Sequence, residues 1–283
     1  MTFLLARERV GRYVVQAVVG RGATGVVYRA RAADGREVAL KLADPELPAA
    51  LADEVAARYR REVEIGAQLA HPAIAAAVEG GLHDRRPYVV LRLAPGEPLS
   101  RVLAGGKALP EVAARAIAAT IADALAHAHA RKIVHRDVKP SNVIVSPASR
   151  ASGRAWLCDL GLARAPGVAK VTRVGAPLGA LGFAPPEQLK GVDAGAPSDL
   201  FGLGIVLYVM LTGVRPFACG SVEEYEAALA GPDPRPPSAV AGTDPALDAI
   251  VTHCLSRDPR ERARSAADVA IALRAGAAAQ GGQ

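Results

Sequence analysis

The stretch His135-Arg136-Asp137-Val138-Lys139-Pro140-Ser141-Asn142 gathers an acid, a cation and an amide into a few residues. A carboxylate at Asp137 can orient an attacking hydroxyl and accept its proton. Lys139 can neutralise charge on a transferring group, and Asn142 offers an oxygen to a hard cation. Asp159 follows in Cys158-Asp159-Leu160-Gly161, and a carboxylate is a natural ligand for Mg²⁺. A base, a neutralising cation and two oxygen ligands are what phosphoryl transfer asks of a protein. That chemistry depends on positioning and charge stabilisation more than on covalent help.

Two further groups lie upstream. Gly20-Arg21-Gly22-Ala23-Thr24-Gly25 has the spacing that lets backbone amides approach phosphate oxygens. Alone it is equally an ordinary glycine-rich hairpin. A dinucleotide site needs a helix after the glycines, and β-branched Val26-Val27 continues as strand instead. Lys41 ends the strand-like run Val38-Ala39-Leu40-Lys41. Glu62 recurs with Val55, Tyr59, Gly66 and Leu69 on one helical face, an unusual place for a solvated acid. A lysine held by a glutamate can fix the α- and β-phosphates of a nucleotide as a point charge. The alternative, a surface ion pair, contributes little.

The elements that must position these residues follow from pattern. Tyr13–Val19, Val26–Ala32 and Glu37–Leu42 read as strands, with Asp34-Gly35 as a hairpin turn. A helix is expected over Asp53–Leu69 and a strand over Tyr88–Leu93, and Pro95-Gly96 then breaks the chain. Beyond it a helix opens at Pro110 and runs to Ala130, and short strands fit Val143–Val145 and Ala155–Cys158. Residues 160–186 are rich in Gly and Pro and lack periodicity, as a functional loop would. Ser198–Thr212 is an apolar helix ended by Gly213, and further helices fit 221–230, 245–255 and 265–274. The expected organisation is an N-terminal segment 1–12, a β-rich lobe 13–95, a helical lobe 96–275 and a flexible tail 276–283.

Composition excludes several classes. The 283 residues are 51% hydrophobic and 22% charged, as in a globular chain. Aromatics are 4%, which argues against base-stacking nucleic-acid binding, and the net charge of +6 is spread without a dense basic block. No apolar run reaches the ~20 residues of a membrane span. Phe3-Leu4-Leu5-Ala6 is too short for a signal peptide. Three widely spaced cysteines form no CxxC pair, so neither a zinc site nor a disulfide framework is indicated, and a reducing, cytoplasmic location is expected. His127, His129 and His135 lack the i, i+4 spacing of a helical metal pair.

Taken together, from about Tyr13 to Ala275, these motifs resemble the eukaryotic-type protein kinase family, in a bacterial-like member. The resemblance implies a bilobal α+β fold and a serine/threonine class, the latter from Lys139 following Asp137. It implies ATP with Mg²⁺ (or Mn²⁺) as cofactors and proteins as substrates. By it, Gly20, Gly22 and Gly25 cover the ATP phosphates, Lys41 pairs with Glu62, Asp137 is the base, and Asn142 and Asp159 hold metal. Val19, Val27, Ala39 and Ile144 sandwich the adenine; Leu91 is the gatekeeper, and the backbone at Arg92 and Ala94 meets the base. Glu187, in Pro185-Pro186-Glu187, pairs with Arg262, and Asp199 braces the catalytic loop. Arg136 marks kinases regulated by phosphorylation of the loop. Thr172, the only hydroxyl residue between Asp159 and Glu187, is the expected site.

Some positions depart from the family. Leu160 replaces Phe, Pro185 replaces Ala, and Ala180 stands where a threonine hydroxyl normally meets the catalytic Asp and Lys. Gly66 stands where a bulky residue is usual. A mid-helix glycine costs about 1 kcal/mol against Ala, which suggests a loosely held helix and activation by a second copy or a separate partner. The alternative from another class is a pseudokinase, a nucleotide-binding scaffold; a small-molecule phosphotransferase would not need Lys139 or Pro186-Glu187.

Overall fold

A computed structural model describes residues 7–22, 24–146, 153–159, 182–192 and 195–280. The backbone divides between Ala94 and Pro95 into two compact units, one β-rich and one helical. This is the expected α+β architecture.

In the first unit, β1 (Arg9–Val10), β2 (Tyr13–Gly22), β3 (Gly25–Arg31) and β4 (Glu37–Ala43) precede helix α1 (Ala49–Gly66), and β5 (Ala77–His83) and β6 (Arg86–Arg92) follow it. All pairings are antiparallel, in the order β1-β2-β3-β4-β6-β5. The Asp34-Gly35 turn forms as expected, with Gly35 at φ +85° and Asp34 Oδ1 accepting from Arg36 N at 3.0 Å. Alternation along β4 decides the site. Val38, Leu40 and Leu42 pack with Tyr13, Val15, Val26, Tyr28 and Val90 on one face. Ala39 and Ala43 pack with Val55, Tyr59, Val89 and Leu91 on the other, which α1 covers. Lys41 shares the parity of Ala39 and Ala43, so the two-residue period of the strand aims it at the helix.

Strand β5 and the end of helix α1 differ from expectation. Strand β5 has no sequence signal, because Gly80 and Gly81 interrupt it and it pairs only with β6 at the sheet edge. Helix α1 ends at Gly66 rather than running to Leu69. A Cβ on Gly66 would lie 2.1 Å from the Ala77 carbonyl oxygen. The glycine lets the helix end press against β5, so it marks close packing, not a loosely held helix, and gives no motive for an activating contact.

The second unit holds a small sheet, β7 (Glu97–Pro98), β8 (Val143–Val145) and β9 (Ala155–Leu157), paired in that order. Among the described residues its α-helices are α2 (Leu99–Val102), α3 (Glu111–His129), α4 (Pro186–Leu189), α5 (Ala196–Thr212), α6 (Val222–Ala230), α7 (Pro237–Ala241), α8 (Ala246–Cys254) and α9 (Ala266–Gln280). Thirteen of the 17 residues of α5 are buried, so it is the central helix of this unit and packs against α3, α7 and α8. A Cβ on Gly202 of α5 would stand 2.7 Å from the Val138 carbonyl oxygen, so glycine there lets the core helix touch the segment that carries Asp137. Helix α9 packs on α3 and continues through Gln280, where a tail was expected after residue 275. Alanine-rich Ala275–Gln280 has the propensity to extend it. Among the described residues, no helix is long and apolar enough to cross a membrane.

Candidate active site

The segment between α3 and β8 is irregular apart from a 3₁₀ turn over Pro140–Asn142, and Asp199 in the first turn of α5 fixes its first part. This aspartate is 1% exposed. Its Oδ2 accepts from His135 N at 2.8 Å and lies 2.7 Å from His129 Nε2, while Oδ1 accepts from Arg136 N at 2.7 Å. Arg136 has φ +67°, a left-handed conformation that a non-glycine residue holds only when its surroundings fix it. Gln188 donates to the Arg136 carbonyl at 3.0 Å from the other side.

His135 is fully buried and connects this segment to β9. Its Nδ1 accepts from Asp137 N at 3.3 Å, which makes Nε2 the donor to the Cys158 carbonyl at 3.1 Å; the network thereby assigns the neutral Nε2–H tautomer. The Asp137 carboxylate is 42% exposed and its Oδ2 accepts from two donors, Lys139 Nζ at 2.7 Å and Asn142 Nδ2 at 3.0 Å. A carboxylate held by two donors keeps one orientation while its exposed face remains open to a hydroxyl.

Asn142 Nδ2 also donates to the Asp137 carbonyl at 2.8 Å, so the amide nitrogen is committed; Oδ1, which accepts a long 3.5 Å bond from Ser141 Oγ, is the atom that can face a cation. The Asn142 carbonyl accepts from Cys158 N at 2.9 Å, which ties it to the residue preceding Asp159. Asp159 itself has φ +57°. Two oxygen donors on tied backbones fit Mg²⁺, which takes few protein ligands and retains water and phosphate oxygens. His129 and His135, considered above with His127, are spent on Asp199 and Cys158.

In the first unit, strand register places Val27 opposite Lys41 and Ala39 opposite Leu91, so all four share the face that α1 covers. Lys41 Nζ lies 3.8 Å from Glu62 Oε2, with side chains 10% and 6% exposed. Lys41 Nζ also sits 5.4 Å from the Tyr59 ring centroid. Gly20 pairs with Val27 and Gly22 with Gly25 at the tip of the β2–β3 hairpin, and Val19 is exposed at a register shift between Val18 and Gly20. Arg92 N is bonded to Ala76 O at 3.0 Å, and Ala94 ends this unit. Ile144 lies half-buried in β8 of the second unit. Leu160, Gly161, Thr172 and Ala180 lie outside the described residues.

A structural pair anchors the chain beyond the site. Arg262 donates to both Glu187 oxygens at 2.7 and 2.8 Å, and Ser198 Oγ donates to Glu187 Oε1 at 2.7 Å. Burial, the largest single influence, pushes the Glu187 carboxyl up. The hydrogen bonds from Arg262 and Ser198 outweigh it and hold the group below its ordinary value. Three positioning contacts had no sequence signal: His129 on Asp199, Gln188 on Arg136, and Tyr225 Oη donating to the Ala184 carbonyl at 2.9 Å. Each joins residues 41–70 positions apart, beyond the reach of any local period.

The segment that holds Asp137, Lys139 and Asn142, the buried Lys41–Glu62 pair and the lobed α+β architecture define one class, and comparison with known sequences agrees. The protein kinase domain profile matches residues 13–271, and the chain belongs to that family. It is 35% identical over 276 residues to the serine/threonine-protein kinase PknJ of Mycobacterium tuberculosis, covering 95% of this chain and 46% of that protein. It is 36% identical over 267 residues to PknD of the same organism, covering 93% and 39%. A probable serine/threonine-protein kinase of Streptomyces coelicolor is 36% identical over 276 residues, covering 94% and 40%. The chain thus spans less than half the length of each of these relatives.

Proposed function

We propose that this chain is a serine/threonine protein kinase domain that moves the γ-phosphoryl group of ATP to serine and threonine hydroxyls of protein substrates. The observation that carries this is the Asp137 carboxylate, half exposed and held by Lys139 and Asn142 on a segment fixed by Asp199. Asp137 accepts the proton of the attacking hydroxyl as its oxygen bonds to the γ-phosphorus. The bond from that phosphorus to the β–γ bridging oxygen breaks, and ADP leaves. Lys139 offsets charge on the moving group. Asn142 and Asp159 would hold Mg²⁺ or Mn²⁺, which when bound offsets phosphate charge.

The first unit supplies the nucleotide groups. Lys41, held by Glu62, fixes the α- and β-phosphates, and the backbone at Gly20, Gly22 and Gly25 covers them. Val19, Val27, Ala39 and Leu91 give the adenine apolar contact, as does Ile144 of the second unit, and the backbone at Arg92 and Ala94 meets its polar edge. Phosphate on Thr172, paired by Arg136, regulates the activity. The serine/threonine-protein kinases of Mycobacterium tuberculosis and Streptomyces coelicolor to which the chain is similar support the serine/threonine class.

Label transfer tests the proposal. The protein is incubated with γ-labelled ATP and a generic basic protein, with and without Mg²⁺, and the labelled residues are mapped. Metal-dependent label on serine or threonine is expected. Nucleotide binding without label would instead identify a scaffold.

A further inference from the structure

Tyr59 stands one helical turn before Glu62 on α1, on the same inward face. It is 2% exposed and packed with Val55, Ala77, Val89 and Leu91, so its ring has a fixed place. Its hydroxyl is buried beside the Thr24 side chain. Burial raises the phenol above its ordinary value, with Lys41, Thr24 and Glu62 as polar neighbours. Lys41 is buried, and its ammonium lies 5.4 Å from the ring centroid, within range of a cation–π contact.

Lysine is a point charge on a flexible four-carbon stem. Glu62 Oε2, 3.8 Å away, attracts the ammonium as an opposite charge at ion-pair distance. The aromatic face adds a second wall. We propose that Tyr59 is a positioning residue for Lys41: its ring face, not its hydroxyl, holds the ammonium where a nucleotide phosphate meets it. The inference rests on the reading of Lys41 as the phosphate ligand. It adds a feature of α1 beyond Glu62 that sets nucleotide affinity.

The test compares wild type, Tyr59→Phe, Tyr59→Leu and pentafluorophenylalanine at position 59, which keeps the ring shape and inverts its quadrupole. Mg-ATP affinity is read by displacement of a fluorescent nucleotide, and KM for ATP and for a protein substrate are read in parallel. Phe is expected to bind within about twofold of wild type. Leu and the pentafluoro ring are expected to weaken ATP binding by about 5- to 30-fold, with KM for the protein substrate unchanged. The pentafluoro ring keeps the packing, so the comparison stands if the Leu variant fails to fold. Equal affinity for the Phe and pentafluoro rings would overturn the inference alone. So would weakening by Phe to the level of the pentafluoro ring. Absence of nucleotide binding in the wild type would overturn the proposed function, and this inference with it.

Discussion

Asp199 holds Arg136 through a 2.7 Å bond from the arginine backbone N–H, and Arg136 stands at φ +67° in the turn leading to Asp137. A buried acid 63 positions away thus sets the backbone that carries the proposed base. Asp199→Ala leaves the His135 and Arg136 N–H groups without their acceptor. It is expected to cost about 2–5 kcal/mol in urea unfolding and about 10²-fold in turnover of the folded protein. Asp199→Asn keeps one oxygen and is expected to cost less on both measures.

The Glu187–Arg262 pair gives a pH signature. Glu187 is held below its unfolded value of 4.5, so its contribution to stability is present above that pH. It is lost as pH falls through the lower folded value. Glu187→Gln is therefore expected to be less stable than wild type at neutral pH, with the gap closing in acid. Arg262→Ala is expected to cost about 3–5 kcal/mol, because it leaves a buried carboxylate unpaired. Thermal unfolding from pH 3 to pH 7 checks both.

Gly66→Ala separates the sequence expectation from the packing. In an open mid-helix position alanine would stabilise by about 1 kcal/mol. Here the added carbon meets the Ala77 carbonyl oxygen at 2.1 Å, and a loss of about 1–3 kcal/mol is expected. The sign of the change in unfolding free energy decides.

Thr172 is expected to carry phosphate in the wild type and none in Asp137→Asn, by mass spectrometry of the purified proteins. Thr172→Ala is expected to lower peptide phosphorylation. Unchanged activity would remove Thr172 from regulation.

Much of the candidate site is legible in the sequence. Alternation along Val38–Lys41 and the helical face of Tyr59 and Glu62 placed two charges toward each other, because strand and helix periods act locally. The segment around Asp137 was legible from residue type alone. Strand β5 was not, since its glycines erase the pattern and only pairing with β6 defines it. The end of α1 at Gly66 was set by a strand 11 residues further on, and the anchoring of Arg136 by Gln188 and Asp199 was set from more distant helices. Propensity gives no information about such contacts.

Asp137 is the proposed proton acceptor in phosphoryl transfer. Wild type and Asp137→Asn, matched in unfolding midpoint and ATP affinity, are compared for the initial rate of label transfer to a protein substrate. A fall of about 10²- to 10⁴-fold in Asp137→Asn is expected, with ATP binding retained. A rate equal to wild type would contradict that role.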